Sequence, residues 1–510
     1  MSEPPRAPSV DALLTAHARE RGDHVYLETI DPPRRLTFRQ LDALTHRVGR
    51  FLAARGVRAD DRVSVLAENS VGFVVLFFGI QRYGAAVNPI NVEINAKNVA
   101  QILLDVRPRL VFVSHALAVE LGDVVGASSA DVIPFDPDDL DDLLAGVSTA
   151  PLATTAKPGR FGIIDYTSGS TARPKGVCIT HDAFFYQCDS VRRRFGIEDG
   201  ERVLEYRSLA WASPQLLSLG AALHSGAHLV LARRFSQRRF FDWIREYRIT
   251  VAVGVPTVIN MLLDRAPSLT ASDLPSLKYI TSSSAPLSLE RQLDFERRYA
   301  IPIVQGCGMT EAGFMAGNAP SARRPGSIGT PMPNIRAWFV DATGAPCAPR
   351  VQGELTVAGA QMASAYLTEG GRLEPIPSDG FATGDLGYAD EDGYLYLTGR
   401  RKDLIIRGGV NIAPLEITTA LLSHPAVADA TTIGVPDEIY GEAVVTFVVP
   451  RPGVTASSDV LLSHCRDRLA PFKMPTRIIL LDAIPRTERG KVARDALEAL
   501  WRSSRSDGSI

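Results

Sequence analysis

Short runs rich in Val, Ile and Leu alternate with amphipathic stretches along most of this chain. Arg62–Leu66, then the runs at 109–113, 227–232 and 250–255, have strand length, and a helical pattern over 257–263 follows the last of them. Alternation of this kind builds parallel sheets covered by helices on both faces. The longest apolar run, 71–80, is bounded by Gln81 and Arg82 and falls well short of the ~18 residues that span a bilayer, so it reads as a buried helix and no membrane span is expected. Stretches rich in Pro, Gly, Ser and Thr at 149–160 and 319–333 read as connections between subdomains. Residues 335–397 alternate and are punctuated by Asp341/Gly344 and Asp392/Gly393, which predicts hairpins. The texture changes after Asp403: strands over 430–435 and 442–449 and helices over 414–423 and 458–469 describe a small mixed unit, and the polar tail from Ser503 is expected to be disordered. The fold class is therefore α/β. It comprises a large N-terminal domain, residues 1–402, with parallel sheets and a β-rich subdomain, and a small α+β C-terminal domain, residues 403–510.

Composition narrows the function. At 510 residues with 45% hydrophobic positions, the chain exceeds what one core of roughly 250–300 residues holds. A net charge of −2 gives no basic excess for nucleic acid or an anionic membrane. The N-terminal residues carry no apolar stretch of the signal-peptide kind, and the five cysteines (178, 188, 307, 347 and 465) form no CxxC or zinc spacing. A cytoplasmic protein with reduced thiols is expected.

The chemistry concentrates in 166–181, YTSGSTARPKGVCITH, where Thr167, Ser168, Gly169, Ser170, Thr171, Lys175 and Gly176 lie between two apolar stretches. Glycines let backbone amides approach an anion, hydroxyls donate hydrogen bonds, and the lysine adds a mobile positive charge. This is the composition of a phosphate cradle. It is not the Walker loop, because Gly176 occupies the place of the magnesium-binding hydroxyl after the lysine. Four more segments follow in order: TSSSAP at 281–286, QGCGMTEAG at 305–313, TGDLGYADEDGYLYLTGRRKDLIIRGGVNIAPLE at 383–416, and PRTERGKVARDAL at 485–497.

With these motifs the chain closely resembles, over nearly its whole length, the adenylate-forming acyl-CoA synthetases, a family that includes luciferases and stand-alone adenylation domains. The resemblance implies an enzyme in which a carboxylate attacks the α-phosphorus of ATP, releasing pyrophosphate, before a thiol displaces AMP. Two anions ~4 Å apart repel by about 4 kcal/mol at an effective dielectric near 20, so cations and fixed donors are needed. The resemblance places 167–171 and Lys175 on the β- and γ-phosphates, Thr310 on the α-phosphate, and Glu311 on Mg²⁺. It makes Asp385 and Arg400 a ribose-binding pair, and gives the nucleotide Ser284, Ala285, Pro286, Gly306, Cys307 and Gly308. It makes Lys491 the catalytic lysine and Asp403, with Lys402 beside it, the hinge about which a mobile C-terminal domain rotates. Rotation presents 407–413, with Gly408 and Gly409, for thioester formation with coenzyme A.

The chain departs from its family at Ala172, where glycine is usual, at Cys307, where an aromatic ring commonly stacks on adenine, and at Thr418, where an acid is common. Trp211 falls near a family residue that gates the acyl pocket; with Ser213, Gln215, Val255, Ser283 and Met309 it describes a mostly apolar pocket for a bulky cyclic or aromatic acid. An acid:CoA ligase leads. The alternatives are an adenylating enzyme that loads a carrier protein, an enzyme that only thiolates a supplied acyl-adenylate, and a nucleotide-binding regulator without turnover. Monomer and oligomer are both compatible with the sequence.

Overall fold

A computed structural model of the chain describes residues 9–166, 174–264, 269–451, 453–454, 456–486 and 492–506. The apolar run at 71–80 forms the helix Val71–Tyr83. Ser70 caps it by accepting from the Phe73 amide at 3.2 Å, and Gly84, at φ 105°, ends it. Residues 72–82 of this helix are all buried, including Gln81 and Arg82. Arg82 is held by ion pairs to Asp11 (2.8 Å) and Asp42 (2.9 Å), the arrangement a buried cation needs.

Two large sheets pack around this helix. One has eight strands, in the order Leu373–Pro375, Ala365–Leu367, Gly176–Thr180, Phe161–Tyr166, Ala86–Pro89, Arg62–Leu66, Leu110–Ser114 and Asp131–Phe135. The other has nine. Its centre is a parallel run of Ile303–Met309, Tyr279–Ser282, Val251–Ala252, Arg202–Glu205, His228–Leu231 and Val25–Thr29. Val63, Val87 and Ile163 of the first sheet and Leu27, Val203 and Ile280 of the second belong to one continuous core that also contains Phe73, Phe77 and Phe78. Asn69, just beyond Arg62–Leu66, ties the sheets together at the rim: its amide donates to the Arg207 and Ala232 carbonyls at 2.9 and 3.1 Å and accepts from the Leu209 amide at 2.9 Å.

The alternating segment forms the four-stranded antiparallel sheet Ile335–Val340, Gly353–Gly359, Phe381–Ala389 and Leu395–Arg400. A 3₁₀ turn, Arg401–Asp403, leads to the C-terminal unit. There Val427–Asp437 and Gly441–Pro450 pair antiparallel, Arg477–Leu480 pairs parallel to the second, and Pro414–Leu422 and Ser458–Arg466 are helical. This unit has its own apolar clusters. It meets the large domain where Arg291 donates to the Ala428 carbonyl (2.8 Å) and Arg451 faces Asp294 (3.5 Å). Thr418 takes up a hydroxyl ladder, bonding Thr432, which bonds Thr446, each at 3.0 Å.

Two expectations need correction. The run at 250–255 forms a ladder only over Val251–Ala252, because the Gly254 amide donates to the Thr281 hydroxyl (3.2 Å) in place of a ladder carbonyl and Pro256 opens the helix Pro256–Asp264. The chain leaves the sheet early. The tail from Ser503 is helical as far as Ser506, continuing Arg494–Ser506, whose Leu497 is fully buried and whose Trp501 packs on the same cluster. An i, i+4 apolar pair of this kind anchors a helix whose surface is polar. Among the described residues no helix is long and apolar enough to cross a membrane.

The helix Val71–Tyr83 touches Phe38–Ala54 at Gly79, where an added methyl would lie 2.7 Å from Val48 Cβ. Gly79→Ala is expected to destabilise the large domain by about 1–3 kcal/mol through overpacking. A fall in the thermal melting temperature would show it; an unchanged melting curve would refute this close packing.

Candidate active site

In open sheets of this kind ligands bind outside the carboxyl ends of the strands. Leu204, Ala252, Ile280 and Ile303 lie side by side in the nine-stranded sheet. Three residues further along each path come Arg207, Val255, Ser283 and Gly306, so three of the residues expected in the acyl pocket or at the nucleotide share one rim with an unexpected arginine. Trp211 and Ser213 stand half-buried in the loop that follows Arg207, and Gln215 is buried at the start of the π-helical turn Gln215–Gly220. The Ser283 hydroxyl is buried with no hydrogen-bond partner among the described residues. A bound polar group would satisfy it. Next to it Ser284 adopts φ 73°, the left-handed region that a residue with a side chain enters at a cost of about 1 kcal/mol or more, and the exposed Pro286 closes that turn.

Arg207 does not face this rim as a free cation. It donates through Nε (3.0 Å) and Nη2 (2.7 Å) to Glu205, which is fully buried, and through Nη1 to Ser213 Oγ at 3.0 Å. Glu205 also accepts from the Tyr206 and Arg207 amides and from Ser218 (2.6 Å). Every acceptor demand of that carboxylate is met, so the pair is a neutral, bidentate unit. Its sequence signal was two opposite charges at i, i+2 in an otherwise apolar strand end.

Thr310 and Glu311 lie half-buried at the tip of the hairpin Ile303–Met309/Gly313–Gly317. Gln361, fully buried, fixes that tip: its amide donates to the Ala312 and Phe314 carbonyls (2.6 and 2.7 Å) and accepts from Ser190 (2.7 Å). The Ala363 amide holds the Glu311 carbonyl at 2.7 Å, and Tyr366 donates its phenol to the Glu311 carboxylate at 2.9 Å. Burial, then the charge of Glu311, holds that phenol above its usual pKa, so it stays a donor. Lys175 places its ammonium 5.1 Å from the Tyr366 ring centre. Tyr366 thus touches both the lysine of the phosphate cradle and the carboxylate expected to bind magnesium. The sequence reading missed it, as it missed Gln361, because neither lies in a motif whose composition speaks of chemistry.

Asp385 and Arg400 face each other across the antiparallel pair Phe381–Ala389/Leu395–Arg400, and Arg400 Nε donates to Asp385 Oδ1 at 2.7 Å. Asp385 is buried while Arg400 is half-exposed, so the pair offers a carboxylate and a guanidinium at one mouth. Cys307 lies against them: burial, and then the Asp385 charge, pushes its thiol up to about 12. It remains a neutral thiol at physiological pH, which suits packing and not nucleophilic attack. Gly306 beside it is buried, Gly308 is exposed, and Met309 is half-buried.

Gly408 (φ 57°) and Gly409 (φ 81°) form the two-residue turn of the hairpin Ile405–Arg407/Val410–Ile412, a turn that requires positive φ at both positions. Asp403 ends the 3₁₀ turn, with Arg494 at 3.9 Å. Thr167, Ser168, Gly169, Ser170, Thr171, Ala172 and Lys491 lie outside the described residues. Among the described residues no group of three or more His, Cys, Asp or Glu side chains gathers to hold a metal, and Glu311 presents one carboxylate at the hairpin tip. A single carboxylate fits a cation that takes its remaining ligands from phosphates and water.

Two α/β sheets joined at their carboxyl rims, an antiparallel subdomain with an Asp–Arg pair, and a small C-terminal domain define an adenylate-forming enzyme. The chain belongs to the AMP-binding enzyme family, matching it over residues 14–367 and its C-terminal domain over 416–491. It is 33% identical to the sulfoacetate–CoA ligase of Cupriavidus necator over 97% of this chain and 98% of that one. It is 32% identical to the indoleacetate–CoA ligase of Aromatoleum aromaticum (92% and 94% covered), and 30% identical to the fatty acid–[acyl-carrier-protein] ligase ScoC of Streptomyces coeruleorubidus (92% and 93% covered). Among solved structures, ATP-bound MatB from Rhodopseudomonas palustris superposes with a TM-score of 0.89 at 27% identity, covering 97% of this chain and 99% of that one. The protein is an AMP-forming acid–CoA ligase that uses ATP and coenzyme A.

Tyr366→Phe removes one hydrogen bond to Glu311, about 1 kcal/mol. It is expected to lower kcat/KM for ATP about fivefold at an unchanged melting temperature. Steady-state kinetics with wild-type values would show that Tyr366 does not position Glu311.

Proposed function

We propose that the enzyme condenses a carboxylic acid bearing a bulky cyclic or aromatic group with ATP, and transfers the acyl group to coenzyme A. Residues 1–402 hold the acid and the nucleotide, and 403–510 form the mobile domain. In this reading Lys175 and residues 167–171 bind the β- and γ-phosphates, and Thr310 bonds the α-phosphate. Asp385 and Arg400 take the ribose hydroxyls, and Ser284–Pro286 with Gly306–Gly308 border the adenine. Glu311 would hold Mg²⁺, which when bound offsets the negative charge of the triphosphate. Lys491 brings its ammonium to the carboxylate and α-phosphate oxygens as they approach, which lowers the barrier only if it is present at the moment of bond formation. The carboxylate oxygen then bonds to phosphorus as the bond to pyrophosphate breaks. Rotation about Asp403 withdraws Lys491 and brings the Gly408–Gly409 hairpin forward; the thiol attacks the acyl carbon, and AMP leaves with the electron pair. A cytoplasmic setting suits free thiols and ATP.

The observation that carries the substrate class is the neutral Glu205–Arg207 pair. Sulfoacetate bears a second anion besides its carboxylate, whereas indoleacetate bears an aromatic ring. A pocket built to read a second anion needs an unneutralised donor, and the buried cation on this rim is fully engaged by Glu205. Trp211 follows it in the chain and Val255 lies past the end of the neighbouring strand, and both are half-buried with surfaces that favour an apolar ring. The similarity to a carrier-protein ligase keeps that acceptor as a second reading.

A screen of acids by pyrophosphate release, with CoA and then a holo carrier protein as acceptors, tests both points. Arylacetic and cyclic acids are expected to turn over and to end on CoA, with dianionic acids at least about tenfold poorer. The reverse order would overturn the substrate class, and transfer to the carrier protein alone would overturn the acceptor. Lys491→Ala is expected to reduce adenylation by about 10²-fold or more while leaving the melting temperature unchanged; wild-type pyrophosphate release from that variant would refute its role.

A further inference from the structure

One buried hydrogen bond connects the acyl side of the rim to the strand that leads into the phosphate cradle. Gln215 Nε2 donates to Asp165 Oδ1 at 3.0 Å, and the two side chains are 1% and 2% exposed. Asp165 lies near the carboxyl end of Phe161–Tyr166, two residues before Thr167, where the cradle sequence begins. Gln215 opens the π-helical turn Gln215–Gly220, a distortion that recurs at functional positions because it re-aims side chains. This turn follows the loop of Trp211 and Ser213, and Ser218 within it bonds Glu205. The bond therefore joins a strand end of the eight-stranded sheet to the π-helical turn that follows Arg202–Glu205 of the nine-stranded sheet.

A buried carboxylate is an expensive choice for a strand otherwise made of Phe161, Gly162, Ile163, Ile164 and Tyr166, since burying it is unfavourable without fixed donors. An apolar side chain would pack in the same place with no such demand. What a polar pair adds is geometry: a hydrogen bond has a length and a direction, so it fixes the end of Phe161–Tyr166 relative to the π-helical turn more narrowly than apolar contact does.

We propose that Asp165 and Gln215 are positioning residues: their bond fixes the end of Phe161–Tyr166, from which the sequence assigned to the triphosphate runs on, and so sets affinity for ATP from the acyl side of the site. Gln215 then influences nucleotide affinity without touching the nucleotide, and by linkage the nucleotide influences the acyl wall equally. The inference rests on the assignment of 167–175 to the triphosphate.

The test is equilibrium binding of MgATP alone, by calorimetry, to the full-length protein, with melting temperatures measured in parallel. Gln215→Met keeps the length of the side chain and removes the donor; Asp165→Leu removes the acceptor. Each is expected to weaken MgATP binding about tenfold. Asp165→Asn keeps an oxygen at the acceptor position and is expected to stay within about twofold of wild type. The double variant Gln215→Met/Asp165→Leu is expected to be no weaker than Asp165→Leu alone, because the bond that Gln215→Met would remove is already absent there. Should Asp165→Leu fail to fold, Gln215→Met, Asp165→Asn and the double variant, in which two apolar groups face each other, still decide. Unchanged MgATP affinity in Gln215→Met, additive losses in the double variant, or an Asp165→Asn as weak as Gln215→Met would overturn the proposal. A wild-type protein that binds no MgATP would instead overturn the assignment of the cradle.

Discussion

The arrangement of this protein depends on the burial of Val71–Tyr83 between two sheets. A helix apolar on all sides has no face to offer water, so it must be enclosed, and only two layers can enclose it. Once Phe77 packs on Phe184 and Phe78 on Tyr26, the sheets cannot slide independently, and their carboxyl rims are brought together. Arg82, fixed by Asp11 and Asp42 near the end of the same helix, adds a directional constraint to an otherwise apolar contact. The candidate site is a consequence of that enclosure: one rim continues into the sequence proposed to bind phosphate and the other carries the proposed acyl wall.

Polar residues then refine what apolar packing makes approximate. Asn69 clamps the loop after Arg202–Glu205, Gln361 clamps the tip carrying Thr310 and Glu311, and Gln215 reaches Asp165. All are uncharged amides, each bonded at both ends of its work or to a fixed carboxylate. Amides have the advantage that they donate and accept without the desolvation penalty of an ion, so they can be placed close to a charged substrate without competing for it. The two ionised side chains on the acyl rim, Glu205 and Arg207, cancel each other for the same reason.

The fold was largely readable because its signals are local and strong. The apolar run at 71–80, the strand at Arg62–Leu66 and the hairpin turns at Asp341/Gly344 and Asp392/Gly393 each follow from periodicity or turn chemistry, and each forms. The strand at 250–255 was overestimated because the Gly254 amide bonds the hydroxyl of Thr281, which is distant in sequence. The helical tail was underestimated because the apolar partners of Leu497 and Trp501 come from other strands. The site divides in the same way. Asp385, Arg400, Thr310 and Glu311 stand in motifs that the family resemblance singles out. Tyr366 and Gln361 carry no such signature, since a tyrosine or a glutamine becomes a positioning group only through the tertiary contact it makes.

Cys307 shows how these levels bear on one another. Its thiol sits against Asp385 and Arg400, at a position where the family resemblance leads one to expect an aromatic ring. A thiol has far less surface than a ring, so with adenine placed there, as proposed, stacking contributes less and the ribose and phosphate contacts supply a larger share of the nucleotide's binding. Under that condition the geometry of the phosphate cradle matters more than it would in an enzyme with an aromatic platform. A buried carboxylate at Asp165, costly in isolation, is then intelligible: it fixes the strand end on which the larger share of nucleotide binding depends.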